Sequence, residues 1–173
     1  FLMKIGIMSD SHRDTYHTQY FVDLLKEQGA QYLIHAGDFV DPMNVEILHQ
    51  AKRPYVSVFG NNDAHLLGLQ NDFNLFREPH FFAIKEFTFK LMHLPHYLAP
   101  YDEDIIIYGH THDVTWDYNN KTLLLNPGEI CARDTNKHEA IILEIDSVSY
   151  MIHHFYKHQG EDQLHHEISE IKR

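Results

Sequence analysis

Short apolar runs alternate with helical patterns over the first sixty residues. Residues 4–8, 32–36 and 55–59 form apolar runs of strand length, and each ends at polar or glycine residues. Between them, residues 16–28 and 42–51 carry apolar positions at helical spacing. This alternation of strand and helix predicts parallel strands joined by right-handed crossovers.

From residue 81 onward the pattern changes to short apolar runs that are typical of hairpins. Asn119-Asn120 predicts a two-residue turn between two of these runs. The chain is therefore expected to be one α/β (α+β) domain over residues 3–156, with a parallel N-terminal half and a more antiparallel C-terminal half. Residues 157–173 are polar and predict a C-terminal tail or terminal helix.

Composition narrows the possible partners and compartments. The 173 residues include 14 Lys and Arg against 25 Asp and Glu, a net charge of −11, which argues against strong bulk nucleic-acid binding but not against a local basic pocket. No apolar run approaches the roughly 18 residues of a membrane span. The single Cys131 cannot form an internal disulfide, so a reducing, cytoplasmic location is expected.

Polar residues with ligand chemistry follow the predicted strands. In an open α/β sheet such residues converge in the crevice beyond the carboxyl ends of the strands. Where two of them are separated by one residue in an extended segment, both side chains are expected on the same side. Carboxylate, amide and imidazole groups together suit moderately hard or borderline divalent ions. The residues concerned are Asp10, His12, Asp38, Asn61, Asn62, Asp63, His110 and His112.

The order and spacing of these residues resemble the calcineurin-type metallophosphoesterases, specifically their small single-domain phosphodiesterase branch. The motifs that carry the resemblance are Asp10-x-His12, Gly37-Asp38, Gly60-Asn61-x-Asp63, a lone histidine at His93, Gly109-His110-Thr111-His112 and Asn126-Pro127-Gly128. The resemblance implies a β-sandwich flanked by helices, with the site at the edge where the strand ends meet.

The resemblance also implies two divalent metal ions and a reaction. Manganese is favoured, and nickel, zinc or iron would accept the same ligands. The implied reaction is hydrolysis of a small-molecule or nucleotide phosphodiester by a hydroxide that bridges the two metals, with Asn61 and His93 as catalytic residues. By the same resemblance, Asp10, His12, Asp38 and His112 hold the first metal, and Asp38, Asn61, His93 and His110 hold the second.

Three positions depart from the family pattern. Asn62 stands where many larger relatives carry a histidine that protonates the leaving oxygen, so departure of the leaving group as an oxyanion is favoured. Leu94 replaces a glycine, and we assign the preceding His93 as the ligand. His96 is then a substrate-side candidate, as is Asn62, or a replacement ligand. Glu129 replaces a small hydroxyl residue and makes the local field more negative.

Several residues have simpler interpretations. Asp63 either supports the metal ligands or caps a helix that begins near residue 64. His35, inside an apolar strand, is expected to be a core histidine, and Cys131 an inert thiol. A second set of histidines is expected at the surface without a role in the site: His17, His49, His65, His80 and His138.

Two alternative functions and the oligomeric state stay open. The chain could be a catalytically weak scaffold or binding module on the same fold, or a binuclear-metal phosphomonoesterase. The aromatic-rich stretch of residues 73–89 fits either a homo-oligomer interface or the core.

Overall fold

A computed structural model describes residues 2–173, which form two β-sheets flanked by helices. The helices are α1 (Thr15–Glu27), α2 (Pro42–His49) and a 3-10 helix (Ala64–Asn71). The strands are β1 (Met3–Met8), β2 (Tyr32–His35), β3 (Tyr55–Val58), β4 (Leu75–Phe76), β5 (His80–Ile84), β6 (Phe87–Leu91), β7 (Ile105–Ile107), β8 (Val114–Asn119), β9 (Thr122–Pro127), β10 (Lys137–Ile145), β11 (Ser149–His158) and β12 (His165–Lys172). None of the helices described is long and apolar enough to cross a membrane.

The first sheet has seven strands in the order β12-β11-β10-β1-β2-β3-β4. Strands β1 to β4 run parallel, and α1 and α2 make the first two crossovers between them. Strands β10, β11 and β12 add to β1 in antiparallel pairs. The predicted α/β class and the parallel N-terminal half are confirmed.

The second sheet has the order β5-β6-β7-β9-β8 and mixes both kinds of pairing. Its outer pairs are antiparallel, but β6, β7 and β9 run parallel, which the hairpin-like pattern did not indicate. The turn between β8 and β9 lies one residue later than predicted, because Asn119 pairs with Thr122. Asn120 and Lys121 are the two turn residues, with the positive φ angles (51° and 68°) that a tight hairpin favours.

Buried apolar side chains from both sheets form the core between them, and a second cluster packs α1 and α2 against the outer face of the first sheet. The stretch 73–89 contributes Phe87 and Phe89 to the core, whereas Phe81 is exposed. Burial of each large apolar side chain stabilises the fold by about 1.5–3 kcal/mol. Central members of the core between the sheets are Ile5, Ile7, Ile34, Leu91, Ile107 and Leu125.

The expectation of a polar tail or terminal helix after residue 156 is wrong. β11 continues to His158, the chain turns, and β12 pairs along β11 from Tyr156 opposite His165 to Ser149 opposite Lys172. An edge strand is held by backbone hydrogen bonds and needs few apolar side chains, so its sequence carries a weak pattern. The assignment of one domain to residues 3–156 stays a prediction.

Candidate metal centre

The loops after strands of both sheets meet at one edge, and backbone hydrogen bonds tie them together. The N–H of Asp10 donates to the carbonyl of Gly37 and that of His12 to the carbonyl of Asp38, each at 2.9 Å. The N–H of His110 donates to Asp10 Oδ2 at 3.1 Å, although the two residues are 100 positions apart. The predicted convergence of strand ends is therefore present.

The expectation of an extended backbone at the ligands separated by one residue, Asp10 with His12 and His110 with His112, is wrong. Asp10, His12, Asp38, His110 and His112 have positive φ angles of 53°, 47°, 60°, 68° and 64°. Non-glycine residues held in this conformation cost about 1–3 kcal/mol each and tend to cluster at functional sites. The left-handed backbone turns each side chain inward. As a result His110 contacts Asn61 and His112 contacts Asp10. The spacing alone had predicted that both histidines lie on the same side of the segment.

Four residues form the first group of candidate ligands. Asp10 Oδ1 lies 3.2 Å from His112 Nε2 and 4.0 Å from His12 Nε2. His12 Nε2 lies 3.5 Å from Asp38 Oδ2. All four side chains are buried.

A second group begins at the other oxygen of Asp38. Asp38 Oδ1 lies 3.4 Å from His93 Nε2, which lies 2.9 Å from Asn61 Oδ1. The Nδ1 atom of His110 lies 3.1 Å from the same Asn61 oxygen. His93 is fully buried, whereas Asn61 and His110 are exposed at the rim. The seven predicted ligands therefore lie together, as two groups that share Asp38.

The donor atoms fit bound cations. Ligand atoms about 2.0–2.2 Å from one cation lie roughly 3–4 Å from one another, which is the range of the separations given above. Asp10 Oδ1 and His12 Nε2 are buried and have no hydrogen-bond partner among residues 2–173. Buried polar atoms without partners are unfavourable, and a cation would satisfy both of them.

A model of the calcineurin-like phosphoesterase superfamily domain matches residues 3–148 of the chain. The chain therefore belongs to the calcineurin-like phosphoesterase superfamily.

Individual relatives agree with this assignment. The chain is 27% identical over 160 residues to phosphodiesterase MJ0936 of Methanocaldococcus jannaschii, an alignment that covers 86% of this chain and 96% of that protein. Two solved structures share the fold. Vacuolar protein sorting 29 of Cryptosporidium parvum has a TM-score of 0.78 at 18% identity over 100% of both chains. Zinc-bound Vps29 of Entamoeba histolytica has a TM-score of 0.73 at 21% identity over 97% of this chain and 99% of that chain.

Asn62 contacts the shared carboxylate of this phosphoesterase site. Its side-chain amide donates to Asp38 Oδ2 at 2.8 Å and its backbone N–H donates to Asp38 Oδ1 at 3.0 Å. Burial opposes ionisation of Asp38, but hydrogen bonds from His93 and Asn62 hold its pKa below the usual range. Asp38 is therefore an anion when no metal is bound, as a shared ligand must be.

Glu129 supports the candidate ligand His112, a contact that the sequence did not reveal. It is fully buried, and its carboxylate accepts a hydrogen bond from Nδ1 of His112. Burial disfavours the charged forms of both His112 and Glu129. Contact with Asp10 and Glu129 nevertheless raises the pKa of His112 to about 10. Hydrogen bonds from His112, Asp134 and Thr135 lower the pKa of Glu129 to about 2. The only sequence feature that pointed to Glu129 was the Asn126-Pro127-Gly128 motif directly before it.

Asp63 braces the loops rather than capping a helix. It makes no side-chain cap hydrogen bond to the 3-10 helix, so the capping interpretation is wrong. Its carboxylate accepts hydrogen bonds from the N–H groups of Phe39, Val40 and Gly60 at 2.7–3.1 Å. It therefore ties the loop that carries Asp38 to the loop that carries Asn61.

Residues around His93 define one side of the site. The N–H groups of His93 and Leu94 both donate to Glu78 Oε2, at 2.6 and 3.1 Å, a support that sequence patterns did not indicate. Leu94 and Glu78 line a cavity of about 260 Å³ that also includes Asn61. His96 is exposed, and among residues 2–173 its side chain makes no hydrogen bond or ion pair with the ligand groups.

His35 and Cys131 match their simpler interpretations. His35 is fully buried, its Nε2 lies 2.7 Å from Ser11 Oγ, and burial lowers its pKa to about 3. Burial raises the pKa of the Cys131 thiol to about 12, which disfavours the nucleophilic thiolate.

His138 is a correction to the expected set of surface histidines. It is buried on β10, where its ring stacks on His17 at 3.4 Å and its Nδ1–H donates to the Ile130 carbonyl at 2.5 Å. The contact joins β10 to α1 across a long sequence separation, so the local pattern could not reveal it. Of the other four, His49 and His65 are exposed, while His17 and His80 are half-buried.

Proposed function

We propose that this phosphoesterase hydrolyses phosphodiesters with two divalent ions held by the two ligand groups. The observation that carries the proposal is the position of Asp38, whose two oxygens face different imidazoles, His12 at 3.5 Å and His93 at 3.4 Å. A carboxylate shared in this way suits two ions held close together. Asp10, His12, Asp38 and His112 would hold one ion, and Asp38, Asn61, His93 and His110 the other.

Bound divalent ions would supply a hydroxide at neutral pH and offset the charge that develops on the phosphate oxygens. The chain's own residues then position the substrate. Asn61 and His110 are exposed at the rim, within reach of a phosphodiester that enters from solvent. Because Asn61 is a neutral ligand, it keeps the net charge of the site favourable for an anionic substrate.

The leaving group must depart with little help from a proton donor. Asn62 has an amide, which is a poor acid, and its backbone N–H and one of its two side-chain N–H groups already donate to Asp38. His96, the other substrate-side candidate, is exposed outside the ligand groups. We therefore expect fast turnover of aryl phosphodiesters and slow turnover of alkyl esters.

The test uses protein stripped of metal and supplied separately with Mn²⁺, Ni²⁺, Zn²⁺, Fe²⁺ or Mg²⁺. Hydrolysis of bis(p-nitrophenyl) phosphate is measured together with the number of ions bound per chain. We favour Mn²⁺, because carboxylate and amide oxygens suit it and imidazole is also accepted. Asp38→Asn should remove one or both ions and lower turnover by at least about 100-fold, as expected for loss of a metal ligand.

Asp117→Asn, an exposed change on β8, is the matched control and should keep both properties. Turnover that persists in the stripped protein, or in Asp38→Asn, would overturn the proposal. A faster reaction with p-nitrophenyl phosphate than with the diester would favour the phosphomonoesterase alternative.

A scaffold is the second candidate function, because the Vps29 structures share this fold over nearly the whole chain. The scaffold proposal predicts metal binding without turnover, and retention of partner binding in Asp38→Asn. The same single thiol that argues for a reducing compartment supports a cytoplasmic location under either proposal. Light scattering of the purified chain would test whether it forms a homo-oligomer.

A further inference from the structure

A cavity of about 440 Å³ opens beside the first ligand group. Its volume is in the range of small-molecule sites. Val40 is the one aliphatic side chain of its lining, so an apolar or aromatic group would find few partners there. The lining residues are His12, Arg13, Val40, Asn62, His65 and Arg133.

Two arginines reach this cavity from distant parts of the chain. Arg13 directly follows His12, and Arg133 lies in the loop before β10, with Nη1 3.4 Å from His12 Nδ1. Both are exposed, and neither forms an ion pair with a carboxylate among residues 2–173. The chain has a net charge of −11. The two guanidinium groups therefore form a local positive patch beside the phosphoesterase centre of an otherwise acidic protein.

Carboxylates close to the cavity have other partners. Asp41, which lines an adjoining cavity with Arg13, accepts a hydrogen bond from the N–H of Met43 at 2.9 Å. Asp14 pairs with His17 at 2.8 Å, and Asp134 lies 3.1 Å from His112 Nδ1. The two arginines are therefore available to an anion that enters from solvent.

We propose that Arg13 and Arg133 bind a second phosphate group of the substrate, so that the preferred substrates are phosphodiesters carrying a further phosphate, as in phosphorylated nucleotides. The inference rests on the proposed diesterase function. The planar guanidinium group matches phosphate oxygens in pairs, and charge-assisted hydrogen bonds are stronger than neutral ones. Because His12 belongs to both the ligand group and the cavity wall, one substrate can reach both.

The test compares two diesters that release the same aryl group. Thymidine 5′-(p-nitrophenyl phosphate) has no further phosphate, and its 3′-phosphorylated counterpart has one. We expect kcat/KM to be about tenfold or more higher for the phosphorylated substrate, which corresponds to one strong charge-assisted contact. The preference should decline as salt is added.

Arg13→Gln and Arg133→Gln should each lower this ratio, and the double variant should bring it close to one. Lys52→Gln removes a charge from an exposed position before β3 and should keep the ratio. Equal kcat/KM values for the two substrates in the unmodified protein would overturn the inference, as would an unchanged ratio in the double variant.

A binding measurement separates this inference from the proposed function. Calorimetry compares thymidine 3′,5′-bisphosphate with thymidine 5′-phosphate on the metal-loaded protein. Tighter binding of the bisphosphate, lost in the double variant, would support the second-phosphate site even if neither diester is hydrolysed. Equal affinities would overturn it, whatever the activity.

Discussion

The carboxylate of Glu129 accepts a hydrogen bond from Nδ1 of His112, and Nε2 of the same ring lies 3.2 Å from Asp10 Oδ1. Glu129 therefore fixes the orientation of the imidazole and leaves Nε2 as the atom that faces the ligand group. Carboxylates that hold metal-binding histidines in this way are important for metal affinity. The contact assigns a positioning role to a residue that lies outside the ligand set.

Replacement of Glu129 by alanine is expected to lower metal affinity about 10- to 100-fold, because His112 loses its fixed orientation. Competition with a chelating dye measures this affinity, and circular dichroism checks that the variant is folded. Glu144→Ala removes a carboxylate that contacts His153 on the first sheet and is the control. Unchanged affinity in a folded Glu129→Ala protein would contradict the positioning role.

Gly60 is required for the close approach of the β3 loop to Asp38. A Cβ atom at Gly60 would lie 2.2 Å from the backbone nitrogen of Asp38, which cannot move without disturbing the site. Gly60→Ala should destabilise the protein by about 1–3 kcal/mol, as overpacking and backbone shifts do. Urea unfolding measures the effect. Gly68→Ala meets nothing within 4 Å, so a similar loss there would argue against the steric explanation.

Asp63→Ala should be destabilising because three backbone N–H donors lose their acceptor. Asp63 is fully buried, and each buried donor left without a partner costs about 1–3 kcal/mol. We expect a loss of about 3 kcal/mol or more in the free energy of unfolding, together with weaker metal binding. Asp72→Ala, at the exposed far end of the 3-10 helix, is the comparison. If both variants were equally stable, the bracing role would be disproved.

His35 predicts a loss of stability in acid. Burial lowers its pKa to about 3 in the folded protein, below the ordinary value of 6.5, so the unfolded chain binds the proton first. The stability linked to His35 is complete above pH 6.5 and declines as the pH falls toward 3. At pH 5 the decline amounts to about 2 kcal/mol, since one pH unit corresponds to 1.36 kcal/mol.

Urea unfolding of metal-free protein at pH 7 and pH 5 tests the His35 prediction. His35→Gln should be less stable at pH 7, because the contacts with Ser11 and Gly37 change, but its stability should fall less between the two pH values. His96→Gln, at an exposed position, should retain the full decline. An identical decline in His35→Gln would exclude His35 as the cause.

The fold class and the candidate ligands were accessible from sequence because their signals are local. Apolar periodicity marked β1, α1 and β2 to within a residue or two, and Asp10 and Asp38 lie in the loops that follow β1 and β2. A known order of motifs then identified the family. Edge strand β12 left no such signal, since its polar side chains face solvent and its stability comes from pairing with β11.

By itself the sequence determined which residue types follow each strand, and therefore the kind of chemistry available. The tertiary structure decided that Glu129 supports His112, that Asp63 joins two loops of the site, and that Glu78 holds the backbone at His93. Left-handed backbone conformations and contacts between residues far apart in the chain produce these arrangements. Neither leaves a periodic pattern, because each depends on loops held by neighbours in space and not by neighbours in sequence.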